Sequence, residues 1–353
     1  MKSINVAIIG LRHLHPRSYM PHFEAIKEMN VVAVAEENES LRSQFVHDFD
    51  VTDYAHWKEL FDQEKIDLAA IFLPHSECPD AALAAIDKGI NVLIEKPMSA
   101  DGGSADKVVE AAKEKNVMLT TPYVWRYHPV VKDIKSLLEQ GVLGQIIGCQ
   151  GRCAAGRLDR YIKGHAEWML DAKASGGGPM YNLGVHWIDL FGWLLGEKVI
   201  EVFGKNVKNS QEYNIEDNSF AILTFQNGAV LNLDISYTVP DSYPNGRDLF
   251  IGIRGTKGAI SWAPAYEGEH DELFICSDDE PFKAAPVQHR IYKIQPAEGY
   301  SGVIGLDYIK DVAKAIIDHK NAPISGAEGA YILKVVEAIY QSAQQRKVIS
   351  LKT

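Results

Sequence analysis

The sequence predicts an α/β domain with a parallel sheet, followed by an α+β half built on a large, mostly antiparallel open sheet. Three observations carry this. Over the first 120 or so residues, short continuous apolar runs alternate with amphipathic helical stretches. Strands buried on both faces read as continuous apolar runs, the mark of a parallel sheet. After about residue 125 the apolar period shortens to two, with a strong hairpin signal and few helices. The expected boundary divides the 353 residues into domains 1–124 and 125–353.

Taken in order, the first strand is Val6-Ala7-Ile8-Ile9, and the next is Val31-Val32-Ala33-Val34. Leu68 to Leu73 and Val92-Leu93-Ile94 complete the series. Helical periodicity covers Pro79 to Lys88, stopped by Gly89, and Ala105 to Lys115, stopped by Asn116. A strand–helix alternation of this kind folds as a doubly wound sheet. In the second half, a helix from Val130 to Glu139 ends at Gly141. Phe220–Phe225 and Ala229–Ser236 flank Gln226-Asn227-Gly228, and Asn-Gly is a hairpin turn. Ile251–Ile253, Ala259–Trp262 and Leu273–Cys276 read as further strands, and helices return at Asp307–Asp318 and Glu328–Gln344.

The net charge of −11 argues against a nucleic-acid surface and for a small-molecule substrate. No apolar run reaches the roughly 18 residues of a membrane span. The sequence runs from its first residues straight into a strand, so no signal peptide is expected. Cys78, Cys149, Cys153 and Cys276 are scattered, which suits reduced thiols in the cytoplasm better than a metal set.

The first strand leads into Gly10-Leu11-Arg12-His13-Leu14-His15. A dinucleotide fingerprint has glycines for the tight turn, for approach to the pyrophosphate, and for helix packing. Gly10 keeps the first place; Arg12 and His15 take the other two. Pro16 and Pro21 lack an N–H for phosphate, so the helix is expected to begin late, with Ser18 as its N-cap. Arg12, His13 and His15 offer side-chain donors instead. By itself the turn leaves a nucleotide site and a plain connection both open. Glu36, about 20 residues on, suits the ribose hydroxyls and favours NAD, with NADP still possible. His13 and His15 show no carboxylate nearby in sequence, so no metal is expected.

Two motifs carry the chemistry. Glu95-Lys96-Pro97 follows a buried parallel strand and so lies at the carboxyl edge of the sheet, where ligands bind. Gly176-Gly177-Gly178 precedes a helix whose residues Asn182, His186 and Asp189 share one face at helical spacing. A polar stripe on an otherwise apolar helix needs partners or a cavity.

Together these motifs resemble the Gfo/Idh/MocA family, the glucose–fructose oxidoreductase and inositol dehydrogenase group. Leu73-Pro74-His75 resembles its Thr-Pro-Asn segment near the nicotinamide, and Arg126-Tyr127-x-Pro129 its Arg-Phe-x-Pro segment. Gly141-Val142-Leu143-Gly144 is similar to the turn that enters its second domain. The resemblance implies an N-terminal Rossmann domain binding NAD(P) through Gly10, Arg12, His13, Leu14, His15, Glu36, Leu73, Pro74, His75, Glu95 and Lys96. It implies that His186 is the general acid/base, with Asn182 beside it and Lys96 near the substrate hydroxyl. Arg126 and Asp189 would line the substrate pocket, with Tyr161 and Tyr237 as further candidates. The implied activity is hydride transfer between nicotinamide and a carbinol carbon of a sugar, cyclitol or related polyol. The alternatives are a non-catalytic NAD(P)-binding regulator and an NAD-recycling lyase or glycosidase. A homodimer or homotetramer is expected.

Three departures from the family stand out: Asn182 replaces its Asp, His15 stands at the third glycine, and Thr-Pro-Asn-x-x-His reads Leu73-Pro74-His75-Ser76-Glu77-Cys78. The stretch from Arg152 to Ala172 carries Arg157, Arg160, Lys163 and His165, which suit a solvated basic loop or recognition of a substrate anion.

Overall fold

The computed structural model describes residues 3–265 and 270–351. The chain divides into two compact units. The first comprises residues 1–124, 161–177 and 296–333; the second comprises 125–160, 178–295 and 334–353. Sequence reading draws a single cut after residue 124, whereas the first unit gathers two later segments. Hydrogen bonds hold the first of these segments in place: the Ser76 amide donates to the Ala174 carbonyl at 3.0 Å.

The first unit is built on a six-stranded parallel sheet. Its strands are β1 (Ile4–Ile9), β2 (Met29–Ala35), β3 (Thr52–Tyr54), β4 (Leu68–Ile71), β5 (Asn91–Ile94) and β6 (Leu119–Thr120). The order is β3-β2-β1-β4-β5-β6, with every pair parallel. This is the Rossmann order, and its ligand crevice opens between β1 and β4, beyond their carboxyl ends. Every residue of β4 is buried, as the continuous apolar run requires.

The crossover helices are α1 (Pro16–Glu24), α2 (Glu39–Phe49), α3 (Trp57–Gln63), α4 (Cys78–Asp87) and α5 (Gly102–Glu114). The starts of α2, α3 and α5 follow from side-chain caps. Asn38 accepts from the Leu41 amide, and Asp101 accepts from the Ser104 amide at 2.8 Å. The expectation for α1 is corrected. It starts at Pro16 with His15 as N-cap, and Pro21 lies inside it. Proline is favoured at the first helical position because that amide has no helical partner to lose.

The second unit holds a nine-stranded sheet. Its strands are β7 (Ile146–Ala155), β8 (Val199–Val207), β9 (Asn218–Phe225), β10 (Val230–Ser236), β11 (Arg247–Gly255), β12 (Gly258–Trp262), β13 (Asp271–Ser277), β14 (Val287–Tyr292) and β15 (Ile349–Ser350). The order is β14-β13-β12-β11-β7-β10-β9-β8-β15; β7 and β10 are parallel and the other pairs antiparallel. The Asn-Gly hairpin joins β9 to β10 as expected, with Leu223 opposite Leu231. Later in the chain run α6 (Pro129–Glu139), α7 (Leu158–Lys163), α8 (Ala172–Ser175), α9 (Val185–Leu195), α10 (Gly302–Asp318) and α11 (Gly326–Gln345).

One face of the large sheet is a core of Leu223, Phe225, Leu231, Ile235 and Ile251, on which Trp187 and Phe191 of α9 rest through Gly151. All four cysteines are free thiols. No helix among the described residues is long and apolar enough to cross a membrane.

Candidate active site

The expected site residues fall in both units. Those of the first unit converge at the carboxyl ends of its strands: Gly10 after β1, Glu36 after β2, Leu73 to His75 after β4, and Glu95-Lys96 after β5. Gly10 has φ +88°, and a Cβ there would lie 2.8 Å from Leu73 Cδ2 and 3.1 Å from the Leu73 amide nitrogen. The first fingerprint position therefore admits glycine alone. Glu36 is buried; its Oε2 accepts from the Leu11 amide at 2.7 Å and its Oε1 from the Asn38 amide at 2.8 Å. The carboxylate thus organises the turn itself. Arg12 faces Glu77 at 3.2 Å and Glu36 at 3.8 Å. Arg12, Glu36, Glu37, His56, Trp57, Leu73 and Glu77 line one small pocket.

His13 is arranged as an uncharged donor and acceptor. His13 Nδ1 accepts from the His15 amide at 3.2 Å, so its proton sits on Nε2. That Nε2 is buried and has no hydrogen-bond partner. Burial, reinforced by the charge of His15, holds the His13 pKa well below the usual range and keeps the ring neutral. Leu14 beside it is half-buried.

His15 Nδ1 lies 3.2 Å from Glu95 Oε2. This corrects the sequence reading, which sees no carboxylate near the pair: Glu95 is 80 positions away but one strand end removed. His13, His15 and Glu95 place one donor atom each within 4.8 Å of one another. The His15 amide occupies Nδ1 of His13, which in the neutral ring leaves the proton on Nε2.

His75 shows what its departure from the family's Asn does. Its Nδ1 lies 2.8 Å from the Ser175 carbonyl, to which only a donor can bond, leaving Nε2 as a buried acceptor without a hydrogen-bond partner. Burial lowers its pKa to about 4, so it too is neutral. Cys78, at the family's His position, is buried and donates to the Leu73 carbonyl at 3.3 Å. Burial pushes its thiol pKa far up, so it is inert. Lys96 is 2 % exposed, its amide donates to Glu95 Oε1 at 3.0 Å, and the Lys96–Pro97 bond is cis. A buried neutral donor, a buried neutral acceptor and a glycine-only turn at the switch point fit a dinucleotide.

Sequence reasoning missed Trp168. Its indole donates to the Arg12 carbonyl, and its ring meets those of His13 at 5.9 Å and His75 at 4.7 Å between centroids. Only a lone Trp upstream of three glycines marked it. Tyr161 is buried in this same unit.

In the second unit, Asn182 lies in a π-wound turn (Met180–Gly184) and His186 and Asp189 in α9. The expectation of one α-spaced face is corrected: the wider π turn precedes α9, so helical spacing does not relate Asn182 to His186. All three side chains are buried. Arg126 grips Asp189 with two nitrogens, Nε at 2.9 Å and Nη2 closer. Tyr237 is buried, and its amide donates to the Asp217 carbonyl. In the basic stretch, Arg157 is turned to Asp241 at 2.8 Å and to the Pro240 carbonyl.

Residues 4–123 match the model of an oxidoreductase family's NAD-binding Rossmann fold, and 135–351 match that family's C-terminal alpha/beta domain. Among curated proteins, Oxidoreductase P35 of Formosa agariphila is 29% identical over 74% of this chain and 79% of its own length. Levoglucosan dehydrogenase of Pseudarthrobacter phenanthrenivorans is 23% identical over 99% of both chains. A solved levoglucosan dehydrogenase, in complex with NADH and levoglucosan, superposes with a TM-score of 0.85 at 21% identity over all of both chains. Both halves of the sequence and both units of the fold therefore lead to one conclusion: the chain belongs to the Gfo/Idh/MocA oxidoreductase family, with an NAD-binding Rossmann domain.

Proposed function

We propose that this oxidoreductase acts on a CH–OH group of a sugar, cyclitol or related polyol, with NAD as the preferred cofactor and NADP as a possible alternative. The observation that carries the reading is the set of buried, neutral and partly unpartnered groups at the β1/β4 switch point. When bound, the nicotinamide supplies the hydride acceptor or donor. Gly10, Arg12, His13, Leu14 and His15 hold the diphosphate side, with imidazole and guanidinium donors standing in for the close backbone approach that glycines allow. Glu36 takes the ribose hydroxyls with the lone pairs its two backbone bonds leave free. Leu73, Pro74, His75 and Glu95 shape the nicotinamide side.

In the proposed reaction, His186 takes the hydroxyl proton on oxidation and returns it on reduction, a task suited to imidazole near neutral pH. The Lys96 ammonium stabilises negative charge growing on the substrate oxygen. Asn182 orients His186 without adding charge, while Arg126 and Asp189 act as one unit on the substrate side, with Tyr161 and Tyr237 as lesser candidates. The names of the sugar dehydrogenases among the relatives support the substrate class. We further propose a homo-oligomer formed through the exposed face of the large sheet.

Titration of the purified protein with NADH and NADPH, followed by nicotinamide fluorescence, tests the cofactor assignment. We expect NADH to bind at micromolar concentration and His13→Ala to weaken it about tenfold, the worth of one hydrogen bond. Failure of both nucleotides to bind, with none released on denaturation, removes the assignment.

A further inference from the structure

A carboxylate lies behind the glycine triplet, and the reaction scheme gives it no task. Glu216 directs both oxygens at the Gly178 amide, each at 3.2 Å. The Tyr340 hydroxyl bonds Glu216 Oε1 and also lies 3.0 Å from the Gly178 nitrogen. The Gly178 carbonyl in turn accepts from the Asn182 amide at 3.3 Å. One residue, Gly178, therefore links Glu216 to the start of the π turn. It must be glycine, since a Cβ would lie 2.1 Å from the Glu216 carbonyl oxygen and 2.9 Å from its carboxylate. Tyr340 also packs edge-on against Tyr181, next to Asn182, at 5.1 Å between centroids. The arrangement grips the turn from α11 on one side and from Glu216, two residues before β9, on the other.

We propose that Glu216, together with Tyr340, is a positioning residue for Asn182 and His186, fixing the turn that delivers them. This inference rests on the reading of His186 as the acid/base. The groups facing Glu216 are Tyr340 on α11 and the neighbouring Asp217, with Tyr181 next to Tyr340 on the π turn. Asp217 is occupied by the Asn209 and Ser210 amides at 2.9 and 2.8 Å. Burial raises the Glu216 carboxyl to about 7, against the bonds from Tyr340 and Gly178 that lower it. A folded value above the ordinary 4.5 means that the fold favours the protonated form. Its contribution to stability is complete below the unfolded value and is lost as pH rises through about 7. The grip on Gly178 therefore changes character close to neutrality, where a catalytic imidazole works.

The test needs neither substrate nor cofactor, so its failure is separate from a failure of the cofactor assignment. Histidine-labelled protein is titrated by NMR from pH 5 to 9, with His186→Asn identifying the His186 ring signals. The wild-type ring is expected to show a second inflection near pH 7 beyond its own titration. Glu216→Gln, a neutral isostere that still accepts from Gly178, should abolish that inflection while leaving the fold intact. Glu216→Ala should raise amide exchange over residues 178–184 at least tenfold, as one lost hydrogen bond of this type implies. Tyr340→Phe removes a bond that lowers the Glu216 carboxyl, so it should move the inflection to higher pH without removing it. If His186 titrates identically in the wild type and Glu216→Gln, Glu216 is only a structural strut and the proposal is overturned. Should Glu216→Ala fail to fold, the comparison with Glu216→Gln still decides.

Discussion

Asp189 lies at 1% side-chain exposure, and Arg126 meets its carboxylate with two nitrogens. Removing one partner of such a pair strands the other in a medium that cannot solvate it. Arg126→Ala is therefore expected to lower unfolding free energy by about 3–5 kcal/mol in urea denaturation. Adding Asp189→Leu should recover most of that loss, and a double variant as unstable as the single one contradicts the pair account. The two residues stand 63 positions apart, and each is legible singly as part of a motif. What the sequence could not show is that they neutralise each other. The same holds for His15 and Glu95: His-x-His is visible, but the carboxylate arrives from the end of another strand. Identity is legible at the residue scale, while partnership over long sequence separations depends on the sheet order.

β7 is the central strand of the nine-stranded sheet, yet its sequence, Ile-Ile-Gly-Cys-Gln-Gly-Arg-Cys-Ala-Ala, lacks the apolar alternation that announces β9 and β10. Gly151 is the reason. A Cβ there would stand 2.4 Å from Trp187 Cδ1 and 2.8 Å from Phe191 Cε2, so the strand gives up a side chain to admit α9. A residue that reads as a strand breaker is thus the site of closest helix–sheet approach. Gly151→Ala is expected to cost about 1–3 kcal/mol by overpacking. It should also displace the α9 that carries His186, which near-ultraviolet circular dichroism of Trp187 would register. An unchanged spectrum and midpoint would show that α9 has room to move. The short strand β3 and the two-residue strands β6 and β15 escaped notice for a simpler reason: too few residues carry a period. The π turn at Met180 was hidden because spacing arguments presuppose 3.6 residues per turn.

At the scale of the whole molecule, the face of the large sheet opposite its core is unusual for a chain meant to stand alone. Phe203, Phe220 and Ile222 are 41, 40 and 46% exposed. Phe203 lies opposite Ile222 and Lys205 opposite Phe220, so the apolar groups form one cross-strand patch. With Phe250 and Leu233 they line a groove of about 400 Å³, among Arg152, Lys205 and Asp234. An apolar centre with a few charges of both signs suits a self-complementary contact, in which the cation of one copy meets the carboxylate of the other. Two-fold association of sheet faces satisfies this with closed symmetry, the same patch being used on both copies. Ile222→Lys combined with Phe220→Asp is therefore expected to halve the mass measured by light scattering. Its circular dichroism should be retained, since both side chains point away from the core. NADH binding should survive as well, because the groups assigned to the cofactor are in the other unit. A wild-type protein that is monomeric at tens of micromolar would remove the oligomer reading and leave the patch as a surface for another partner. A variant that dissociates and also loses NADH would instead mean that subunit contact supports the nucleotide turn.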